Sequence, residues 1–231
     1  MSFLDKAKHD VVKVGEMSVQ TYCWDGEKET VLLLHGWESN SFRWRNLIDN
    51  LKREGFQVLA FDAPGHGNSS GSLFNVLRYT ECTQTIVSRY KPDYIIGHSV
   101  GGMTAVYHQY RFPINSLKKV ISIGAPSEFN DVMKRYQEIL GFNDRVYNAL
   151  DAYYKKHFGF SIDEFSTAEY AEGITIPGLL IHDELDLIAP FLASEKVHAK
   201  WRNSTLIKTR GLGHSMHQEH VNEQIVDFLK S

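Results

Sequence analysis

Short apolar runs alternate along this chain with longer amphipathic stretches, and that alternation restricts the fold more than any other feature. The runs are Val31-Leu32-Leu33-Leu34-His35, Gln57 to Phe61, Tyr94-Ile95-Ile96, Val120-Ile121-Ser122-Ile123, Gly178 to Ile181 and Thr205 to Lys208. Several are nearly continuous hydrophobics, as expected of strands covered on both faces in a parallel sheet. Between them, Phe42 to Lys52, Leu73 to Tyr90, Met103 to Arg111, Phe191 to Ala199 and Val221 to Leu229 carry helical patterns. Ahead of them Val11 to Val14 and Met17 to Trp24 read as strands, with Gly15-Glu16 set for a tight hairpin turn. The expected class is α/β, a mostly parallel central sheet flanked by helices. In such sheets ligands bind at the carboxyl ends of the strands, so chemistry is to be sought just after each run.

Composition removes several function classes. A chain of 231 residues with 42% hydrophobic residues can bury a core, and its net charge of -3 offers no footprint for nucleic acid or an anionic membrane. No apolar run approaches the roughly 18 residues of a membrane span, and the first residues lack the apolar stretch of a secretory signal. Two cysteines, Cys23 and Cys82, are too few for a disulfide framework or a thiolate metal site. The expectation is a cytoplasmic protein without nucleic-acid partner, membrane span, cofactor or metal.

One stretch breaks the rhythm. Residues 125–176 contain no convincing strand, and Phe129, Val132, Met133, Tyr136, Ile139 and Leu140 follow helical spacing. The segment is rich in aromatics and carries nine acidic against five basic residues, so it is net negative while the rest is nearly neutral. It reads as a helical insertion, dividing the core into residues 1–124 and 177–231.

Gly97-His98-Ser99-Val100-Gly101 follows one apolar run and precedes a helical one. This is the G-x-S-x-G pattern of a sharp strand-to-helix turn that projects the serine and leaves Gly97 and Gly101 no room for a Cβ. The turn also leaves the Val100 N–H at a helix start, facing any negative charge that forms. Gly67-Asn68-Ser69-Ser70-Gly71 matches too, but no strand leads into it. A serine hydroxyl needs a base, and the base needs a third group to orient it. Loops after two later runs supply Asp186 and His214, with Asp183 as the other candidate acid.

These pieces together resemble the α/β-hydrolase fold superfamily, over essentially the whole chain. His35-Gly36-Trp37, Asp62-Ala63-Pro64-Gly65-His66-Gly67-Asn68-Ser69, the turn at Ser99, Asp186 before Pro190, and Gly213-His214 carry the likeness. The resemblance implies that the Trp37 N–H joins that of Val100 in an oxyanion hole. It also implies that residues 125–176 are a lid shaping the substrate pocket. Many relatives have glycine where Asp183 stands; Asp186, four residues before Pro190, is the expected acid, with Asp183 as the alternative.

The expected activity is that of a serine hydrolase cleaving an ester of a small-molecule, apolar acyl substrate. Thioesterase, lactonase, carbon–carbon hydrolase, perhydrolase, peptidase and acyltransferase chemistry use the same groups, and a ligand-binding or signalling member of the fold is the rival class. His66 and His98 are expected to anchor loops. His214, His217 and His220 with Glu219 read as a surface helix following the candidate base rather than a metal cluster.

Overall fold

The computed structural model describes residues 3–231. Its strands are β1 (Lys8–Val14), β2 (Met17–Trp24), β3 (Thr30–Leu34), β4 (Gln57–Phe61), β5 (Tyr94–His98), β6 (Lys119–Ile123), β7 (Gly178–Asp183) and β8 (Ser204–Thr209). They form one sheet in the order β1-β2-β4-β3-β5-β6-β7-β8. The β1–β2 and β2–β4 pairs are antiparallel, and every pair from β4 across to β8 is parallel. The expected α/β class is the observed one. Val14 pairs with Met17 across a two-residue turn in which Gly15 takes a φ of 55°.

The helices are α1 (Arg45–Arg53), α2 (Val76–Tyr90), α3 (Val100–Arg111), α4 (Phe129–Leu140), α5 (Asp144–Phe158), α6 (Thr167–Ala171), α7 (Leu192–Lys200) and α8 (Glu219–Lys230). Two begin later than periodicity suggested, because side-chain caps set their starts. Asn75 Oδ1 accepts the Arg78 N–H at 2.9 Å, leaving Leu73 and Phe74 outside α2. Asn40 Oδ1 accepts the Phe42 N–H at 3.0 Å and starts a 3-10 turn, Ser41–Trp44, ahead of α1.

Alternate strand residues supply the two faces of the sheet. Leu32, Leu34, Leu59, Ile95, Val120 and Leu180 pack on one side with Ile86, Ala105 and Trp201. Leu33, Val58, Ile96, Ile121 and Ile181 pack on the other with Leu47, Leu51, Val221 and Ile225. Both faces are therefore sealed, and the reactive groups must sit along the strand ends.

Between β6 and β7 the chain runs through α4, α5, the 3-10 turn Ile162–Glu164 and α6. Phe129, Met133, Tyr154, Ile162 and Phe165 form a third cluster resting on Val76, Leu77, Val100 and Met103. Ala168, Ala171 and Ile174 instead join the cluster on the face of the sheet. Among the described residues no helix is long and apolar enough to cross a membrane.

Candidate active site

Ser99 stands between β5 and α3 with φ 55° and ψ -124°, a strained setting for a side-chain-bearing residue. The surroundings hold it there. Its N–H donates to the Ile123 carbonyl at 2.8 Å, and its carbonyl accepts from Gly102 and Met103 at 2.9 and 3.0 Å. A Cβ on Gly97 would lie 2.2 Å from the Gly101 carbonyl oxygen, and one on Gly101 would lie 2.2 Å from that of Leu34. Both glycines are thus sterically required. Gly102 is also tight, since a Cβ there would lie 2.7 Å from Ser122 Oγ and 2.9 Å from the Ala125 methyl; it lies outside the five-residue pattern, so the sequence does not mark it.

The two candidate acids are separated by what they bind. Asp186 Oδ2 lies 2.7 Å from His214 Nδ1, while its Oδ1 accepts the N–H groups of Ile188 and Ala189 at 2.8 and 3.1 Å. Burial alone would raise its pKa, but His182 and His214 beside it and the Ile188 N–H outweigh burial and hold the carboxyl well below the usual range. His182 Nε2 stands 3.4 Å from the same oxygen. Asp183 spends its oxygens elsewhere, accepting from Leu185 N, Gly211 N, Thr209 Oγ1 and Leu212 N between 2.8 and 3.2 Å. It fastens the loop that carries His214 but does not hold the ring.

His214 is brought to the elbow from below. Its carbonyl accepts from His98 Nε2 at 2.7 Å, and the His98 and His214 rings lie 4.8 Å apart. Gly124, just after β6, takes a φ of 54°, and a Cβ there would lie 2.5 Å from the Met216 methyl of the loop that carries His214. His98 thus has the anchoring part expected of it. Its neighbour on the other ring nitrogen, Arg43, was not foreseen; Arg43 lies far from His98 in sequence, and no local pattern marks the contact.

The His35-Gly36-Trp37 loop lies against Ser99: a Cβ on Gly36 would stand 3.0 Å from Ser99 Cβ. His35 Nε2 accepts the Ala63 N–H at 2.9 Å, so its Nδ1 carries the proton that it donates to the Gly36 carbonyl at 2.7 Å. A trans peptide points its N–H opposite its carbonyl, so this bond turns the Trp37 N–H away from His35. Burial lowers the His35 pKa to about 4 and keeps the ring neutral. His66 pins the same loop, accepting the Glu38 N–H at 3.1 Å.

The second G-x-S-x-G match is structural. Ser69 Oγ donates to the Asp62 carbonyl at 2.6 Å and accepts the Gln20 N–H at 2.9 Å. The histidine-rich stretch needs a correction: residues 215–218 form a loop and α8 starts at Glu219, so only His220 of the later histidines is helical. Asp183's hold on Gly211 and Leu212, with Gly211 and Gly213 at positive φ, bends the chain before a helix can begin. No group of metal-binding side chains occurs among the described residues.

Ser99 and Val100 open into a pocket of about 100 Å³. Trp37, Pro126, Ile188 and Pro190 line it, and α4 contributes Asp131, Val132, Arg135 and Tyr136. The Trp37 and Tyr136 rings meet 4.8 Å apart across it.

Comparison with known proteins follows the same lines. The chain is 25% identical over 255 residues to a bifunctional esterase/perhydrolase of Acinetobacter calcoaceticus, covering 85% of this chain and 90% of that protein. Its fold is similar to the bromoperoxidase from Bacillus anthracis, with a TM-score of 0.76 at 21% identity over 97% of this chain and 100% of the other. An esterase from Exiguobacterium antarcticum superposes with a TM-score of 0.75 at 18% identity, covering 97% and 100% of the two chains. The family model for the alpha/beta hydrolase fold matches residues 29–149. With the sheet order, the elbow and that match in agreement, the chain belongs to the α/β-hydrolase fold family.

Proposed function

We propose that this protein is a serine hydrolase of the esterase type, with Ser99 as nucleophile, His214 as base and Asp186 as the acid that orients it. The observation that carries the reading is the 2.7 Å bond from His214 Nδ1 to a buried Asp186, on a loop tied to the residue beside Ser99. With its Nδ1 proton engaged by the carboxylate, His214 keeps Nε2 free to accept the Ser99 proton. Ser99 Oγ then attacks the ester carbonyl carbon, and the oxygen that becomes negative is received by the N–H groups of Trp37 and Val100. Each such donor contributes roughly 3 kcal/mol to lowering the barrier. His214 returns the proton to the departing alcohol, and water, activated by the same base, releases the acid. No cofactor or metal enters this scheme.

Residues 125–176 act as the lid in this reading, with α4 as a pocket wall. A wholly apolar cavity of about 150 Å³ holds benzene, so the pocket suits acyl groups of about two to four carbons. The esterase/perhydrolase relative supports carboxylic esters as the substrate class. Cys23 and Cys82 are free thiols, which suits a reducing cytoplasm.

The test is hydrolysis of p-nitrophenyl esters from acetate to octanoate by the wild-type protein and by Ser99→Ala. Turnover that peaks at short chains and vanishes in Ser99→Ala is expected. Tight ligand binding with no Ser99-dependent turnover would instead favour a binding or signalling member of the fold.

A further inference from the structure

His214 lies in a loop with little stiffness of its own. Gly211, Gly213 and Met216 take φ values of 82°, 65° and 40° around it, and nothing lies within 4 Å of where a Cβ would stand on either glycine. Asp186 fixes the imidazole ring, but a ring held at one nitrogen can still swing with its backbone. The backbone is held from the opposite side, by groups that arrive from the 3-10 turn after β3.

Arg43, in the turn Ser41–Trp44, sends its guanidinium beneath the elbow. Nη1 donates to His98 Nδ1, and Nη2 donates to the Ser215 carbonyl at 2.9 Å. The guanidinium carbon lies 4.8 Å from the centre of the Trp44 ring, which supports its plane from one side. A guanidinium has donors only. His98 Nδ1 must therefore accept, its proton must sit on Nε2, and Nε2 can only donate to the His214 carbonyl, 2.7 Å away. Burial, Arg43 and His214 push the His98 pKa well below its ordinary value, so the ring stays neutral. Burial lowers the Arg43 pKa only to about 10, so the cation persists at neutral pH. One rigid fork thus reaches two consecutive carbonyls, one directly and one through a ring with a single permitted tautomer. Lysine carries its three donors on one nitrogen and lacks the planar two-nitrogen fork that reaches both acceptors here.

We infer that Arg43 is a positioning residue for His214, acting through His98 and the Ser215 carbonyl to hold the base in line with Ser99. The inference rests on the serine-esterase reading above. Arg43 touches no reacting atom, so it sets how often the base is aligned rather than how tightly the ester binds.

The test is steady-state hydrolysis of p-nitrophenyl acetate by Arg43→Met, Arg43→Lys, His98→Phe and the Arg43→Met/His98→Phe pair, beside wild type and Ser99→Ala. Misplacing a reacting group by about 1 Å costs up to about 100-fold. Arg43→Met should lose about 30- to 100-fold in kcat with KM within about twofold, and Arg43→Lys, reaching one acceptor, about 5- to 10-fold. The double variant should fall little further than Arg43→Met alone, because His98 orients the His214 carbonyl only while Arg43 fixes its tautomer. Should Arg43→Met fail to fold, Arg43→Lys and His98→Phe carry the same comparison. Wild-type kcat in Arg43→Lys, a loss expressed in KM, or losses that multiply in the pair would overturn the inference while leaving the esterase reading intact. A wild-type protein without Ser99-dependent turnover would remove that reading, and this inference with it.

Discussion

The strand ends and the helices between β6 and β7 are built to different tolerances. Every residue of β5 is buried, and on either side of the turn at Ser99, Gly97 and Gly101 pack directly against backbone. In α5, by contrast, Tyr154 alone of fifteen residues is buried, and α4 buries Phe129 and Met133. The first region places reactive groups by steric necessity. The second places a pocket wall through a few aromatic contacts, such as Phe129 with Tyr154 at 4.9 Å and Trp37 with Tyr136 at 4.8 Å. Changes at the strand ends should therefore abolish activity or folding, while changes in the insertion should retune what is accepted.

The largest expected effect separates the two acids. Asp186→Asn should lower kcat by about 10,000-fold by spoiling the tautomer and charge that His214 needs. Asp183→Asn should cost less than about tenfold in kcat, but it turns an amide toward donors that now meet a carboxylate. At about 2–3 kcal/mol for that mismatch, the melting temperature should drop by about 5–10 °C. Steady-state assays and thermal melts decide this; a greater activity loss in Asp183→Asn would reverse the assignment.

Next comes the contrast between glycines. Gly97→Ala meets backbone at 2.2 Å and should cost more than about 4 kcal/mol or prevent folding. Gly159→Ala, at the end of α5 with φ 83° and open space around it, should cost about 1 kcal/mol. Urea unfolding of both variants reads the difference directly.

Acid should act on the buried histidines at the strand ends and in α3. His35, His98 and His108 all have pKa values lowered by burial, to about 4 for His35 and His108. A lowered folded pKa means that the unfolded chain takes up protons first. Their contribution is complete above the unfolded value near 6.5 and is lost as pH falls through the folded values. Stability should decline by on the order of 1 kcal/mol per pH unit for each histidine between about pH 6.5 and 4. Urea midpoints that stay level over that range would contradict it.

The smallest effect belongs to the insertion. Tyr136→Ala removes a wall shared by the pocket at Ser99 and a smaller apolar space of about 30 Å³ lined by Phe74, Met103 and Tyr154. The ratio of kcat/KM for hexanoate over acetate esters should rise by about 3- to 10-fold, the value of a methylene or so of apolar contact. The melting temperature should hardly move.

Much of the fold was readable because strands sealed on both faces leave a plain trace. Val31 to Leu34 and Gly178 to Ile181 are apolar without break, and the elbow announces itself through Gly97 and Gly101. Helix starts were less readable, since the caps at Asn40 and Asn75 outrank apolar spacing. Spacing to Pro190 favoured Asp186, but order along the chain did not separate it from Asp183, as one carboxylate ends β7 and the other stands three positions beyond. Only the path of the loop after β8 shows which carboxylate meets His214. Arg43 carried no signal at all: its partners, His98 and Ser215, lie 55 and 172 positions away. Residues 125–176 looked uniform by composition, yet Ala168, Ala171 and Ile174 pack into the sheet's core and Phe129 and Met133 do not. Periodicity reports which face of a helix is apolar but not what that face rests on.

The central claim is that the strand ends make Ser99 a nucleophile activated by His214. Mapping the adduct of a fluorophosphonate probe by mass spectrometry of the digested protein tests it most directly. A single covalent adduct on Ser99 is expected in the wild-type protein, with labelling slowed by at least about 1,000-fold in His214→Ala. An unlabelled Ser99, an adduct on Ser69 instead, or equal labelling rates in the two proteins would contradict it.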